Sequence, residues 1–253
     1  MLPHVQVPEA RWRFSLHRGA WRRAARRLVV GGDPPCIATS GFDSDEDGTF
    51  WEWTSTHPGG TGGGLTLLTD APLGTTYTFI LKFALDPFLD DGYMKIIDFQ
   101  DRGPDDGLYL LTGEVSDPFE AVIYYDDDGD VDVARTQTVR PGDVLDLIVV
   151  RQQTSGPAGT FTVYARFPNG AIEQLFTFVD PQGKTIPFVT QDNKSKLGFF
   201  FDDADTEDEG APGGRVYELR GWAGVALTLE QITAAVTPAQ PEPTPPITPS
   251  YTG

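Results

Sequence analysis

The stretch whose spacing most directly suggests chemistry is Asp43-Ser44-Asp45-Glu46-Asp47-Gly48. Carboxylates at positions 1, 3 and 5 with glycine at 6 form the opening half of a calcium loop: oxygen ligands wrap a hard cation and the glycine permits the sharp turn. Phe50 falls at the apolar eighth position, but position 12 is Thr54, which offers no bidentate carboxylate, and Glu52 comes two residues early. Asp43, Asp45 and Asp47 are therefore candidate ligands of an incomplete loop, or else a solvated acidic turn before a strand. A second run, Asp126-Asp127-Asp128-Gly129-Asp130, reads as a hairpin turn, because Asp-Gly tolerates positive φ and bunched charge keeps a sheet edge from pairing with other chains.

Signatures of catalysis are sparse. A retaining glycosidase needs two carboxylates facing each other about 5–5.5 Å apart, which on a strand requires alternate spacing. Glu207-Asp208-Glu209 is contiguous and would point to opposite faces. There is no G-x-S-x-G, no G-x-x-x-x-G-K-[ST] and no H-E-x-x-H. The Gly59–Gly64 run lacks the lysine and the helix that cradle a phosphate. Three histidines, His4, His17 and His57, argue against a multi-histidine metal site, and the single cysteine, Cys36, excludes an internal disulfide. These absences predict a non-catalytic chain. Trp51 and Trp53 share one strand face, either exposed for stacking on sugar rings or buried in a core.

Charge narrows the partners. The chain of 253 residues sums to -18, yet residues 1–32 hold seven arginines against one acid, Glu9. The remainder is strongly acidic and would repel phosphate backbones, so no nucleic-acid partner is expected. Clustered carboxylates suit Ca²⁺ instead, or simply keep the surface solvated. No run of about 18 apolar residues exists, so no membrane span is predicted.

The elements that must position these groups follow from periodicity. In Thr76–Leu85, Tyr77, Phe79, Leu81, Phe83 and Leu85 alternate with Thr76, Thr78, Ile80, Lys82 and Ala84, which predicts a long strand with one strongly apolar face. Phe161, Val163, Ala165 and Phe167 repeat the pattern. Val144–Val150 is almost continuously apolar, as a central strand covered on both sides would be. Further strands are predicted at 93–100, 107–112, 119–125, 131–135, 172–179, 196–201 and 214–222, separated by Gly, Pro, Asn and Asp clusters. Strands at regular spacing without intervening helices predict an antiparallel sandwich. One short helix is predicted at LEQITAAV, where Thr228 and Gln231 form a capping box and Leu229, Ile232 and Val236 would pack on the sandwich edge.

The ends differ. Residues 1–36 read as a basic leader, disordered or forming an amphipathic helix over Arg11–Val30, with no apolar segment of the kind a secretory signal needs. Residues 237–253 hold six prolines with Thr and Ser, an extended tail or linker. Residues 37–236 are the folded domain.

Four stretches in order, GGGLTLLTDAPLGTTYTFILKFALD (62–86), YMKIIDFQDRGPDDGLYLLTGE (93–114), TFTVYARFPNG (160–170) and KLGFFFDDADTEDEGAPGGRVYELRGWAGVALTLEQI (196–232), resemble the concanavalin A-like, laminin-G-type (LamG) jelly roll. The approach Ala165-Arg166-Phe167-Pro168 and the very acidic hairpin at 119–135 depart from that pattern. The resemblance implies an all-β jelly-roll sandwich of two antiparallel sheets, with rim loops or a concave face that bind glycans or proteins, often beside calcium. It also implies that Asp202 and Asp203 end a strand near the loop of Asp105 and Asp106, with Asp98 on the strand leading into that loop. Carboxylates converging there would repel one another unless a cation neutralised them, and Ca²⁺ with 6–8 oxygen ligands is the expected cofactor. The expected function is a secreted or cell-surface, calcium-assisted binding module for a glycan or an extracellular protein. The alternatives are a structural or adhesive spacer and, behind both, a glycosidase on the same fold.

Overall fold

The computed structural model describes residues 12–15, 27–30, 37–55, 63–87, 92–103, 107–112, 120–124, 140–202 and 209–237. The alternating sequences become strands, all paired antiparallel. The larger sheet runs β12 (Ile172–Asp180), β11 (Ala158–Arg166), β10 (Leu145–Ser155), β6 (Tyr77–Leu85), β15 (Gly213–Ala223), β4 (Gly48–Ser55), β3 (Ile37–Asp45), and β1 (Trp12–Ser15) also pairs with β15. The smaller runs β2 (Arg27–Val30), β5 (Leu65–Leu68), β14 (Ser195–Phe199), β7 (Gly92–Asp98), β8 (Gly107–Thr112), β9 (Glu120–Tyr124), with β13 (Phe188–Val189) on β14. This is the expected all-β jelly-roll sandwich with one short helix, α1 (Leu229–Val236). Strands β1 and β2 lie where a disordered leader or a helix was expected. The strand expected at 131–135, the acidic turn at 126–130, Cys36 and the tail from residue 238 onward lie outside the described residues.

Inward side chains of both sheets form one core. Trp51, Trp53, Phe79, Leu81, Phe83, Leu147, Val149, Phe161 and Val163 come from the larger sheet; Leu65, Leu67, Met94, Leu108, Leu110, Leu197 and Phe199 come from the smaller. Each such side chain contributes roughly 1.5–3 kcal/mol by leaving water. Trp51 and Trp53 do share a face, and it is the core face: their rings stack 5.0 Å apart at 9°.

The outer face of the larger sheet is covered in one half. There α1 lays Ile232 and Val236 over Ile80, Ile148, Val150 and Trp222. That cover explains why β6 and β10 are apolar on both sides. Thr228 caps the helix, accepting from Gln231 N while the Gln231 side chain accepts from Thr228 N. Leu229 departs from expectation: it is 50% exposed, while Ile232 and Val236 alone make the buried stripe of the helix.

A polar staple closes one end of the core. Arg151, fully buried on β10, donates from Nη2 to Asp180 Oδ2 (3.2 Å) and Pro157 O (2.6 Å), from Nε to Thr185 Oγ1 (2.9 Å), and from Nη1 to Thr75 O. Asp180 accepts in turn from Gly183 N, Lys184 N, Thr185 N and Thr185 Oγ1. The guanidinium needs a glycine opposite, since a Cβ on Gly159 would come 2.9 Å from Arg151 Cζ.

Candidate functional site

Of the expected metal ligands, Asp98 and Asp202 do meet, but around a lysine. In β7 a bulge between Lys95 and Ile97 breaks the two-residue alternation, so that Lys95 and Asp98, three apart, come together. Lys95 Nζ lies 3.7 Å from Asp98 Oδ2 and 3.6 Å from Asp202 Oδ1, with the three side chains 0%, 1% and 0% exposed. The Tyr109 ring lies against the ammonium at 5.2 Å. Gly107 leaves room, since a Cβ there would stand 3.1 Å from Lys95 Cε. Asp98 Oδ1 accepts from Gln100 N (3.2 Å) and Arg102 N (3.0 Å), a reach made possible by Asp101 and Arg102 in the left-handed region (φ 59° and 61°). Asp202 Oδ2 accepts from Glu209 N at 2.9 Å, and Asp202 O accepts from Arg102 Nε at 2.6 Å. An ammonium thus stands between two carboxylates for which a bound cation was expected. Asp105, Asp106 and Asp203 lie outside the described residues.

The D-x-D-x-D-G run is a hairpin, not a loop before the first strand. Asp43 and Asp45 are on β3, and Gly48 opens β4 opposite Asp45. Its three carboxylates serve different partners. Asp43 Oδ1 accepts from Ser44 N at 2.8 Å. Asp45 Oδ1 accepts from Asp47 N, and Asp45 Oδ2 accepts from Arg215 Nη1 and Tyr217 Oη, both at 2.8 Å. Asp47 offers its carbonyl and Oδ1 to Lys82 Nζ at 3.0 and 3.1 Å. Among the described residues, no three His, Cys, Asp or Glu side chains gather as a metal cage would require.

These contacts outline a second cluster, on the half of the larger sheet's outer face that α1 leaves uncovered. On β15 a bulge between Val216 and Glu218 leaves Tyr217 as the extra residue. Its ring packs edge-on against Phe50 at 5.4 Å and over Ala84, while Lys82 and Arg215 lie 5.0 and 5.9 Å from it. Burial and the acceptor Asp45 push the Tyr217 phenol well up, so it stays a proton-bearing donor at neutral pH. Lys82 sits opposite Asp146 on one neighbouring strand and Glu218 on the other. Asp146 pairs with Arg166 (3.1 Å), and burial nevertheless raises its carboxyl above the ordinary value. Rows of cations and carboxylates thus alternate around an aromatic ring. The lysine and arginine remain open to solvent, 21% and 30% exposed. Nothing in the spacing reading singled out Tyr217, Arg215 or Lys82. The available signal was Lys82 itself, the one charged residue in an otherwise apolar strand.

No protein-family model matches the sequence, and no curated protein does. Solved structures match by shape. The marine PL-14 alginate lyase from Aplysia kurodai superposes with a TM-score of 0.53 at 9% identity, over 85% of this chain and 99% of its own. The enzymatically active domain of bacteriophage CBA120 tailspike protein 2 matches with a TM-score of 0.50 at 13% identity, over 83% of this chain and 30% of its own. At such identity the likeness is one of fold, consistent with the concanavalin A-like resemblance at the level of the sandwich. It corrects one expectation. The absence of a glycosidase carboxylate pair does not make the chain non-catalytic, because the same architecture, over nearly the whole of the Aplysia chain, is that of a lyase. An elimination does not rest on two opposed carboxylates.

Proposed function

We propose that this chain is a carbohydrate-active protein that takes a polysaccharide across the uncovered half of the larger sheet's outer face. The observation that carries the reading is the Asp45–Arg215–Lys82 cluster above the buried Tyr217 ring, where donors and acceptors share one solvent-facing surface. Sugars offer hydroxyls that pair with charged groups, and this surface supplies both donors and acceptors for them. Lys82 and Arg215 suit an acidic sugar, whose carboxylate would exchange with Asp47 or Asp45. Tyr217, held protonated, donates to Asp45 and so orients that carboxylate beside Arg215. The alginate lyase supports a carbohydrate role through shared fold.

The finer readings belong to the same proposal: a laminin-G-type sandwich, calcium assistance through the acidic rim segments, and a secreted or cell-surface setting. The test is a panel of acidic and neutral polysaccharides, followed by gel retention and by the ultraviolet absorbance of unsaturated sugar ends. Retention or cleavage of an acidic polysaccharide is expected, and an inert response to the whole panel would refute the reading. Calcium is tested separately by a thermal melt with the ion and then with chelator. At a hundred times its Kd a ligand adds about 2.7 kcal/mol, which moves the midpoint of a chain this size by several degrees.

A further inference from the structure

The buried Lys95–Asp98–Asp202 cluster places an amine and two carboxyl groups within reach of one another. Three ionisable side chains are sealed from water, two of one sign and one of the other. Here the two Nζ–oxygen contacts are 3.6 and 3.7 Å, while the opposite oxygens of the same carboxylates are held by backbone N–H groups. We infer that Lys95 and Asp202 condense within the folded chain to form an intramolecular isopeptide bond, with Asp98 as the proton carrier.

Each part has its atom. Glu209 N–H donates to Asp202 Oδ2, where it polarises the carbonyl and stabilises the oxyanion of the tetrahedral intermediate. Asp202 Oδ1, the oxygen facing Lys95, is the one that departs. Asp98 Oδ2 takes a proton from the ammonium, leaving an amine whose lone pair attacks Asp202 Cγ. The N–C bond forms, and the C–Oδ1 bond breaks with its electron pair on oxygen. Asp98 delivers two protons in turn from nitrogen to that oxygen and ends as the carboxylate it began. One ammonium and one carboxylate become one neutral amide and one water, with no oxidant, reductant or second reactant. The Tyr109 ring and the missing Cβ of Gly107 hold the lysine stem in place beside Asp202. The bond ties β7 to the chain just beyond β14, beside a short ladder in which Gly198 lies opposite Asp98 and Phe199 opposite Ile97.

The test is the intact mass of the full chain after denaturation, followed by mapping of the tryptic peptides. The expected mass is lower than the sequence mass by one water, and trypsin, unable to cut after an acylated lysine, should leave one branched peptide carrying Lys95 and Asp202. Asp98→Ala should restore the full mass, as should Lys95→Met. An unchanged wild-type mass overturns the proposal whether or not the variants fold. So does a lost water that maps elsewhere, for instance to a succinimide at Asp47-Gly48. This outcome is independent of the proposed carbohydrate role, which no mass measurement addresses.

Discussion

Two side-chain networks show how much depends on where a single charge finds its partner. Arg151 and Asp180 are both fully buried and share Thr185, so removing either partner strands the other in the core. Asp180→Ala should cost about 3–5 kcal/mol, read as a lowered urea midpoint. Asp146 offers a pH test. Burial raises its carboxyl in the folded state, so the native protein holds that proton more tightly than the unfolded chain does. The stability it contributes is present at acid pH and is lost as pH rises from the ordinary aspartate value through the raised one. In urea unfolding from about pH 3 to about pH 7, the advantage of wild type over Asp146→Asn should shrink with increasing pH. A constant difference would show that the carboxyl is not raised. Asp98 and Asp202 were legible as converging carboxylates because the resemblance placed their strands together. Lys95 was not, because its alignment with Asp98 depends on a bulge, and a bulge leaves no trace in a two-residue pattern.

At the scale of elements, legibility followed burial. Tyr77–Leu85 and Ala158–Arg166 were plain in the sequence because one face of each must be apolar to fill the core. Strand β3 was hidden, since Ile37–Asp45 is rich in Ser, Gly and Asp and is held by pairing with β4 rather than by an apolar face of its own. The helix was read correctly from Thr228 and Gln231, while Leu229 was misplaced because a capping box fixes where a helix begins and not how it is turned on its sheet. Ile232→Ala should cost about 2–5 kcal/mol, read as a lower thermal midpoint, because it empties the contact between α1 and the larger sheet. Gly64 should tolerate no side chain: a Cβ there would sit 1.9 Å from Phe199 O. Gly64→Ala therefore has to displace β5 or β14, at about 1–3 kcal/mol, and should speed amide exchange at Leu65–Leu68 relative to β10.

For the whole molecule, the sandwich was readable and its use was not. Strand spacing and the four ordered stretches sufficed for two layers. The surface that combines Tyr217, Arg215, Lys82 and Asp45 draws on β15, β6 and β3, which are distant in the chain and adjacent only in the folded sheet. Motif searches along the sequence cannot find such a surface, and a missing carboxylate pair could not decide catalysis on an architecture that a lyase shares. The same folded arrangement makes the carbohydrate reading testable at one place. Isothermal titration of acidic polysaccharide into wild type and into the paired variants Lys82→Met and Arg215→Met measures it most directly. The account predicts saturable binding by wild type that is weakened roughly tenfold to a hundredfold in each variant, with folding intact by circular dichroism. Equal binding by all three proteins, or none by wild type, would contradict it.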